Sequence, residues 1–547
     1  MAKRKINNNL GGNQITYLDN PDIKDGVETD SIETYNVSAD NIQVDQLVNS
    51  VYQNFENSDD RKLMLEGIEY YNNKSKIDDK KRFDHCGSAG KENTKLSNAK
   101  VHKNFMRKMT RQKVTFLLGK MYSIETSDDN YKEILEDRYF TKNMYRLIFN
   151  LTKEAIKEGI NWINVYYDEK GELKFRRVPG NQVKVFWADR EHTEIAQLIH
   201  YYEIEIYQGS EVRSATYADY YNNKGVIHYV KEDAGFVRDK ERPKEEGNFT
   251  LMIPVQETVT DEITGISETK YKLDENGKII FEPQQMVWDK LPWVPLKYNE
   301  EETSLLKYIR SYQDEYEALV SAVVDIIKDI PDAIKVFKGY GGANLEELTD
   351  LIAQFRGILV DPDGDVDTLE TKFDATSSNS ILDRLRKDAY EDGAGVDMQS
   401  DNTGDKSGVG LKFLYSDLDL DSEELEQELN VFFEWLLFFI DYDIMRIDHK
   451  DYSEEEVTFK YQKTMIINES EKIDMINKSR DMIPDSILLP EHPFVDDVSA
   501  VEDAIAEEEK EAEEEMNKRI EQFNQQQTQP AGSLIQDPLA AEINTNS

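Results

Sequence analysis

The sequence predicts an α+β protein, and three observations carry that prediction. Between residues 302 and 443, two long runs of helical periodicity flank a compact β/α insert, and a glycine-rich loop and a third long helix follow. Between 161 and 288 the apolar period shifts to two, with β-branched and aromatic residues alternating with polar ones, as an antiparallel sheet requires. The 547 residues carry 39% hydrophobic side chains, enough for several domains and a large core with polar tails.

In chain order, residues 1–44 are Asn/Asp-rich with few periodic apolar positions, and disorder is expected. Residues 45–73 hold one or two helices, with Leu47, Val51 and Phe55 inward, then Leu63, Leu65, Ile68 and Tyr71. Residues 74–96 read as a charged loop carrying His85 and Cys86. Adjacent side chains in a loop do not face each other and no orienting acid is indicated, so no nucleophile is assigned there. Residues 95–120 are the one basic segment. Lys95, Lys100, Lys103, Arg107, Lys108, Arg111, Lys113 and Lys120 are expected on a helix whose apolar side is Val101, Phe105, Met109, Phe116 and Leu117. A helix pair is expected over 131–158.

The period-two region contains strands at 162–167, 173–178, 183–187, 195–207, 213–221 and 225–231. Residues 243–283 are more charged, with short strands at 271–273 and 278–281 around the hairpin signal Asn276-Gly277, and read as an elaboration of the sheet. Pro292 and Pro295 are expected to lead the chain rigidly to the next helix.

That helix should open at a capping box, Asn299 with Glu302, and stop at Pro331, which gives about 28 residues and roughly 42 Å. Leu305, Ile309, Tyr312, Tyr316, Leu319, Val323 and Ile327 share one of its faces, and that face needs a partner. The insert reads as strand 333–337, a glycine turn, helix 344–355 capped by Asn344, strand 357–360, the turn 361–365 and strand 366–373. A helix over 379–390, with Ile381, Leu382, Leu385 and Ala389 inward, breaks at Gly393-Ala-Gly395. Residues 397–410 are too polar and glycine-rich for regular structure.

A last helix should open near Val409, be interrupted around 419–421, and restart from a capping box of Asp421 and Glu424. Leu425, Leu429, Phe432, Phe433, Leu436, Leu437, Ile440 and Ile444 then keep helical spacing, so one long kinked helix is expected. Its apolar run VFFEWLLFFI is half the length of a membrane span and contains Glu434, which marks a buried helix. Beyond it, 457–461 reads as a strand rejoining the β region and 470–481 as a helix. Ser499 with Glu502 should cap an acidic helix to about residue 520, and Gln525 onward is a polar tail.

Composition excludes several classes. With 66 basic against 109 acidic residues the formal charge is −43, which disfavours static gripping of nucleic acid. An acidic wall is compatible with a conduit, because it keeps contacts with phosphate weak, although such a surface is ordinarily a matter of solubility. Cys86 is the only cysteine, so neither an internal disulfide nor a multi-cysteine metal site forms. Met1-Ala-Lys-Arg-Lys leads into Asn-rich sequence, without the apolar core of a secretory signal. Lys406-Ser407 lacks the upstream glycine of a P-loop. Asp361, Asp363, Asp365 and Asp367 alternate like calcium ligands, but Lys372 stands where a bidentate Glu belongs, and turn chemistry explains them. No catalytic residue, metal site or cofactor is expected, and the protein is not expected to be an enzyme.

The order of helix, small α/β insert, helix carrying LRKDAYEDGAGVD, glycine-rich loop and SGVGLKFLYSDLDL resembles the portal proteins of tailed bacteriophages, the siphophage type in particular. The resemblance covers residues 45–516 and is most specific over 381–420. It implies a portal fold: wing 45–300, stem helix 301–330, clip 331–377, second stem helix 378–396 and tunnel loop 397–410. A kinked helix returning to the wing (411–465) and a helical crown (466–520) would follow, between disordered tails at 1–44 and 521–547.

The resemblance also implies a ring of about twelve subunits at one capsid vertex, assembled in the host cytoplasm, that passes double-stranded DNA without sequence specificity during packaging and ejection. Expected partners are the large terminase subunit, a head-completion or adaptor protein, and major capsid and scaffolding proteins, with no membrane. Asp401, Asn402, Asp405, Lys406 and Ser407 would touch DNA from the tunnel loop, with Lys406 as its lone cation. Arg384 and Lys387 would line the channel as rings of positive charge, or pair with Asp383, Asp388 or a neighbour. The basic segment would face DNA or an acidic surface of a neighbouring subunit. The alternative is another head component, a minor capsid or head-tail adaptor protein.

Overall fold

The computed structural model describes residues 41–81, 97–208, 211–243, 246–260, 267–274, 277–329, 334–338, 365–369, 375–399, 413–463, 469–480, 482–490, 492, 494–495 and 498–527. The described residues up to 399, with 413–463, form one compact unit, and those from 469 onward belong to a second. His85 and Cys86 lie outside the described residues.

The first unit opens with α1 (Asn41–Asn57) and α2 (Asp59–Tyr71). Ser58 caps α2, its Oγ accepting from Arg61 N at 3.2 Å. Helical structure starts at 41, where disorder was expected, and Val44, Leu47, Val48, Val51 and Phe55 bury against Tyr201, Tyr220, Tyr229 and Phe236. That burial is a tertiary gain which composition does not report. A single 3-10 turn (Lys76–Asp79) stands in the expected loop, followed by α3 (Phe105–Leu118), β1 (Ser123–Thr126), α4 (Asp129–Ile134) and α5 (Lys142–Glu158). Gly159 ends α5 at φ +92°, and a Cβ there would stand 2.1 Å from the Glu302 carbonyl oxygen.

Six of the seven strands in this stretch fall close to where period two places them, and the last, over 235–238, is an addition the pattern does not mark. They are β2 (Ile160–Tyr167), β3 (Leu173–Val178), β4 (Val183–Trp187), β5 (Ile195–Gln208), β6 (Glu211–Asn222), β7 (Gly225–Glu232) and β8 (Gly235–Arg238). β4 to β8 make a five-stranded antiparallel meander. The charged elaboration is two ribbons of its own, β9 (Phe249–Pro254) with β12 (Phe281–Met286) and β10 (Gln256–Thr260) with β11 (Ser267–Tyr271). The hairpin signal holds, with a Leu273–Ile279 bridge and Gly277 at φ +78°. The proline-marked approach to the next helix is itself a strand, β13 (Trp293–Lys297), on the edge of a sheet ordered β13-β2-β3. An edge tolerates the missing N–H of Pro295.

α6 (Leu306–Asp329), β14 (Ile334–Lys338), β15 (Asp365–Leu369), α7 (Ala375–Asp392), α8 (Ser416–Asp448) and β16 (Val457–Lys460) complete the unit. β14 and β15 pair antiparallel, Ile334 opposite Leu369. The insert's expected helix 344–355 and strand 357–360 lie outside the described residues. The core gathers on α8, where Leu425, Leu429, Phe432, Phe433, Leu436, Leu437, Ile440 and Ile444 are buried, as their spacing requires. Each such side chain contributes about 1.5–3 kcal/mol. Phe433 stacks on Phe459 with ring centroids 3.8 Å apart. In the second unit the helices are α9 (Glu469–Ser479), α10 (Asp485–Leu488) and α11 (Val498–Gln527).

Several expectations are corrected. α8 runs unbroken through 419–421; the interruption falls earlier, at Tyr415. Asp421 does not cap it, because its Oδ1 takes Lys113 Nζ at 2.7 Å and the Tyr298 hydroxyl at 2.7 Å. α6 starts at Leu306 and has 24 residues, because Glu302 sits at φ +53° and its carboxylate pairs with His192 and Lys297. Ile381 is 52% exposed instead of inward. β16 pairs with β1 and not with the β region. α11 contains Ser499 instead of being capped by it, and continues to Gln527.

The basic segment does not ride one helix, since residues 97–104 are extended and run along α6. Ala99 N donates to Asp325 Oδ1 at 2.6 Å, Val101 N to Ser321 Oγ at 2.9 Å, and Lys103 N to Glu317 Oε1 at 2.8 Å. The two periods match: four residues of helix advance about 6 Å, and two residues of extended chain about 6.6 Å. Gln313, Glu317, Ser321 and Asp325 are therefore the buried side of α6, and Ile327 on the apolar stripe is 57% exposed.

Candidate functional site

The site proposed from sequence is the junction where α7 ends and α8 begins. Asp401, Asn402, Asp405, Lys406 and Ser407 lie outside the described residues, so only the two ends of the expected loop are in view. On α7, Arg384 is exposed, its side chain 76% accessible, and its Nε reaches the two oxygens of Asp388 at 2.7 and 2.8 Å. Lys387 is exposed, with no ion pair to a described residue.

Both loop ends are built on α3. On the first, α7 stops at Asp392 and the chain turns through Gly393, Ala394 at φ +45°, and Gly395. A Cβ on Gly393 would lie 2.6 Å from Met109 Sδ and 2.7 Å from an Ile309 methyl, so glycine lets the turn press onto α3 and α6. Gln112 pinches the next backbone group. Val396 N donates to Gln112 Oε1 at 3.3 Å, and Gln112 Nε2 donates to the Val396 carbonyl at 2.8 Å. Arg386 closes this end, its guanidinium 3.0 Å from Asp397 Oδ2 and Nη1 donating to Gln399 Oε1 at 3.2 Å. On the second end, Phe116 stacks on Tyr415 at 5.9 Å, within a small buried cluster of Phe116, Val396, Tyr415 and Leu418.

Lys113 spans the two ends. Its side chain is fully buried, and Nζ donates to the Ala394 carbonyl at 3.2 Å while pairing with Asp421 at 2.7 Å. Burial lowers the Lys113 pKa, and the Asp421 carboxylate opposes that shift. Burial, with Asp421 next to it, raises the Tyr298 phenol well above its ordinary value. The basic segment is thereby divided. Lys113 is internal, Lys103 is half-buried and Lys108 is exposed, the last two lying over the rings of Tyr316 and Tyr390 at 5.6 and 5.0 Å. Burial lowers Lys103, and the cations Lys108 and Arg386 add to that effect.

Sequence reasoning missed Gln112, Lys113, Asp421 and Tyr298 as a group. One signal was present: Lys113 stands at the four-residue step between Met109 and Leu117, on the apolar face of its helix. Among the described residues no cluster of His, Cys, Asp and Glu is arranged to hold a metal ion. No described helix is long and apolar enough to cross a membrane.

Comparison with known proteins supplies the family. Residues 54–515 match the model of the family described as phage portal protein, SPP1 Gp6-like. The portal protein of Bacillus phage SPP1 is 25% identical over 451 residues, covering 79% of this chain and 81% of that protein. The portal protein of Clostridium phage phiCD119 is 24% identical over 457 residues, covering 80% and 90%. Among solved structures, the neck of a native GTA particle aligns with 11% identity and a TM-score of 0.33, over 70% of this chain and 88% of that one. With the family model spanning 54–515, this chain belongs to the phage portal protein family of the SPP1 Gp6-like type, a structural and non-enzymatic component of the phage.

Proposed function

We propose that this portal protein forms a ring-shaped channel at one capsid vertex, through which double-stranded DNA is packaged and later ejected. Twelve subunits are expected, assembled in the host cytoplasm. In this reading the wing is 45–300, α6 and α7 are the stem, 331–377 the clip, 397–410 the tunnel loop, and 466–520 the crown. The clip docks the large terminase subunit during packaging and a head-completion or adaptor protein afterwards, and wing and stem meet major capsid and scaffolding proteins.

One observation carries the ring. α6 buries its polar side under 97–104, while the apolar stripe through Tyr312, Tyr316, Leu319 and Val323 is only half-buried and Ile327 is 57% exposed. A stripe left open on one copy suits a heterologous contact with the next, and such contacts close a ring when their rotation returns on itself. The charge of −43 fits a conduit whose wall holds phosphate weakly. Asp401, Asn402, Asp405, Lys406 and Ser407 are the residues proposed to touch DNA, and Arg384 and Lys387 those proposed to line the stem.

Particle mass with end-on electron micrographs tests the architecture. Twelve copies of the 63.5-kDa chain give about 760 kDa with a central hole. A small compact oligomer without a hole would point to an adaptor or minor capsid protein. Deleting 402–406 is expected to leave rings intact and impair DNA packaging or retention; unchanged packaging would sink the loop's role.

A further inference from the structure

We infer that one face of α3, made by Met109, Gln112, Lys113 and Phe116, is the seat that holds both ends of the 400–412 segment at a fixed spacing, with Lys113 as its bridge. The function assigned to the seat rests on the tunnel-loop reading above; its geometry does not.

Four positions on α3 lie on one face of a helix, at steps of three, one and three residues. Each meets a different part of the junction. Met109 is fully buried against Gly393 and Gly395, where an added Cβ would lie 2.6 Å and 3.0 Å from its side chain. Gln112 satisfies the N–H and the carbonyl of Val396 with a single amide. Phe116 stacks on Tyr415, one residue ahead of α8. Lys113 touches both ends at once, through the Ala394 carbonyl before the segment and Asp421 after it.

A buried ammonium is costly unless paired, and replacing such a pair with apolar residues often leaves stability unchanged or higher. A Lys–Asp pair at this place is therefore poorly explained as a stabilising device. Its geometry points instead to register: an ammonium with several donors can fix a carbonyl on one chain end relative to a carboxylate on the other, and an apolar contact cannot. Among the described residues Asp421 Oδ2 is buried without a hydrogen-bond partner, so the carboxylate is placed to suit Lys113 and Tyr298 at the expense of its second oxygen. The seat makes the two described ends, 394–399 and 413–421, move together.

The test uses full-length rings and two readouts. Lys113→Met with Asp421→Leu removes the bridge and leaves neither charge buried alone, and Gln112→Ala removes the pinch at Val396. Amide hydrogen exchange is followed at 394–399 and 413–421, with β5 to β7 as the internal control; packaging into particles is measured in parallel. The double variant is expected to exchange at least tenfold faster at both ends with the control strands unchanged, and to package less DNA. Gln112→Ala is expected to accelerate the Val396 amide specifically, with Gly395, bonded to the Tyr390 carbonyl at 2.8 Å, as its neighbouring reference. Unchanged exchange at both ends in the double variant overturns the seat. Faster exchange with unimpaired packaging overturns the positioning role of Lys113. If deletion of 402–406 is also without effect on packaging, the tunnel-loop reading is what failed.

Discussion

Replacing Glu158 with glutamine isolates one buried charge at the end of α5. The residue is 2% exposed, and its carboxylate accepts from Asn161 Nδ2 at 3.0 Å, Asn181 N at 3.0 Å and Asn181 Nδ2 at 2.7 Å. Burial outweighs these donors and pushes its pKa up from 4.5 to about 7. The folded protein thus keeps this proton to a higher pH than the unfolded chain does. The stability it contributes is fully present below pH 4.5 and is lost as pH rises through about 7. At about 1.4 kcal/mol per pH unit across that window, the loss is about 3 kcal/mol.

Glutamine does not titrate, and its amide turns an N–H toward one of the three donors, a constant cost of about 1 kcal/mol. Urea unfolding of parent and variant from pH 4 to 8, followed by the fluorescence of the buried Trp162, reads the difference. Parent stability relative to Glu158→Gln is expected to fall by about 3 kcal/mol across the window. Parallel curves would refute the reasoning. His200 supplies the mirror image. Both its ring nitrogens are buried without a hydrogen-bond partner among the described residues, and burial lowers its pKa from 6.5 to about 4. Its contribution is present above pH 6.5 and lost as pH falls through about 4, so His200→Phe should give the opposite slope. The two slopes oppose each other in the parent, and the single variants expose them.

Two further outcomes are expected. Ser321→Ala leaves the half-buried Val101 N–H beside α6 without its acceptor, at a cost of about 1 kcal/mol in urea unfolding, and parent-like stability would mean that this rung contributes nothing. Neutralising Arg384 and Lys387 together as glutamines is expected to change DNA packaging or ejection while ring mass is kept; altered assembly alone would leave them as partners for Asp388 or a neighbouring copy.

The elements that sequence placed well are those defined by local pattern. The six strands from 162 to 231 were legible because alternation reports, residue by residue, which side of a pleat is buried. The apolar face of α8 was legible for the same reason at period 3.6, and the break at Gly393 because few residues other than glycine fit a turn pressed onto Met109. β13 was hidden by Pro292 and Pro295, since proline argues against a strand unless the strand is known to lie at an edge. β1 is four residues long, too short for a period, and its partner β16 lies more than three hundred residues away.

What the sequence determined by itself is which residues share a face. What lies opposite that face was decided only by the tertiary structure. The stripe from Tyr312 to Ile327 reads as the buried side of α6. Yet beyond Ile309 the deeply buried positions of that helix are Gln313, Glu317, Ser321 and Asp325, because an extended backbone with N–H groups to satisfy is packed there. Lys113 reads as surface charge in a basic run. It is internal because Ala394 and Asp421, from chain ends 281 and 308 positions away, bring an acceptor and a counter-charge to it. Periodicity is a property of one element; a partner is a property of two, and only folding brings the second into place.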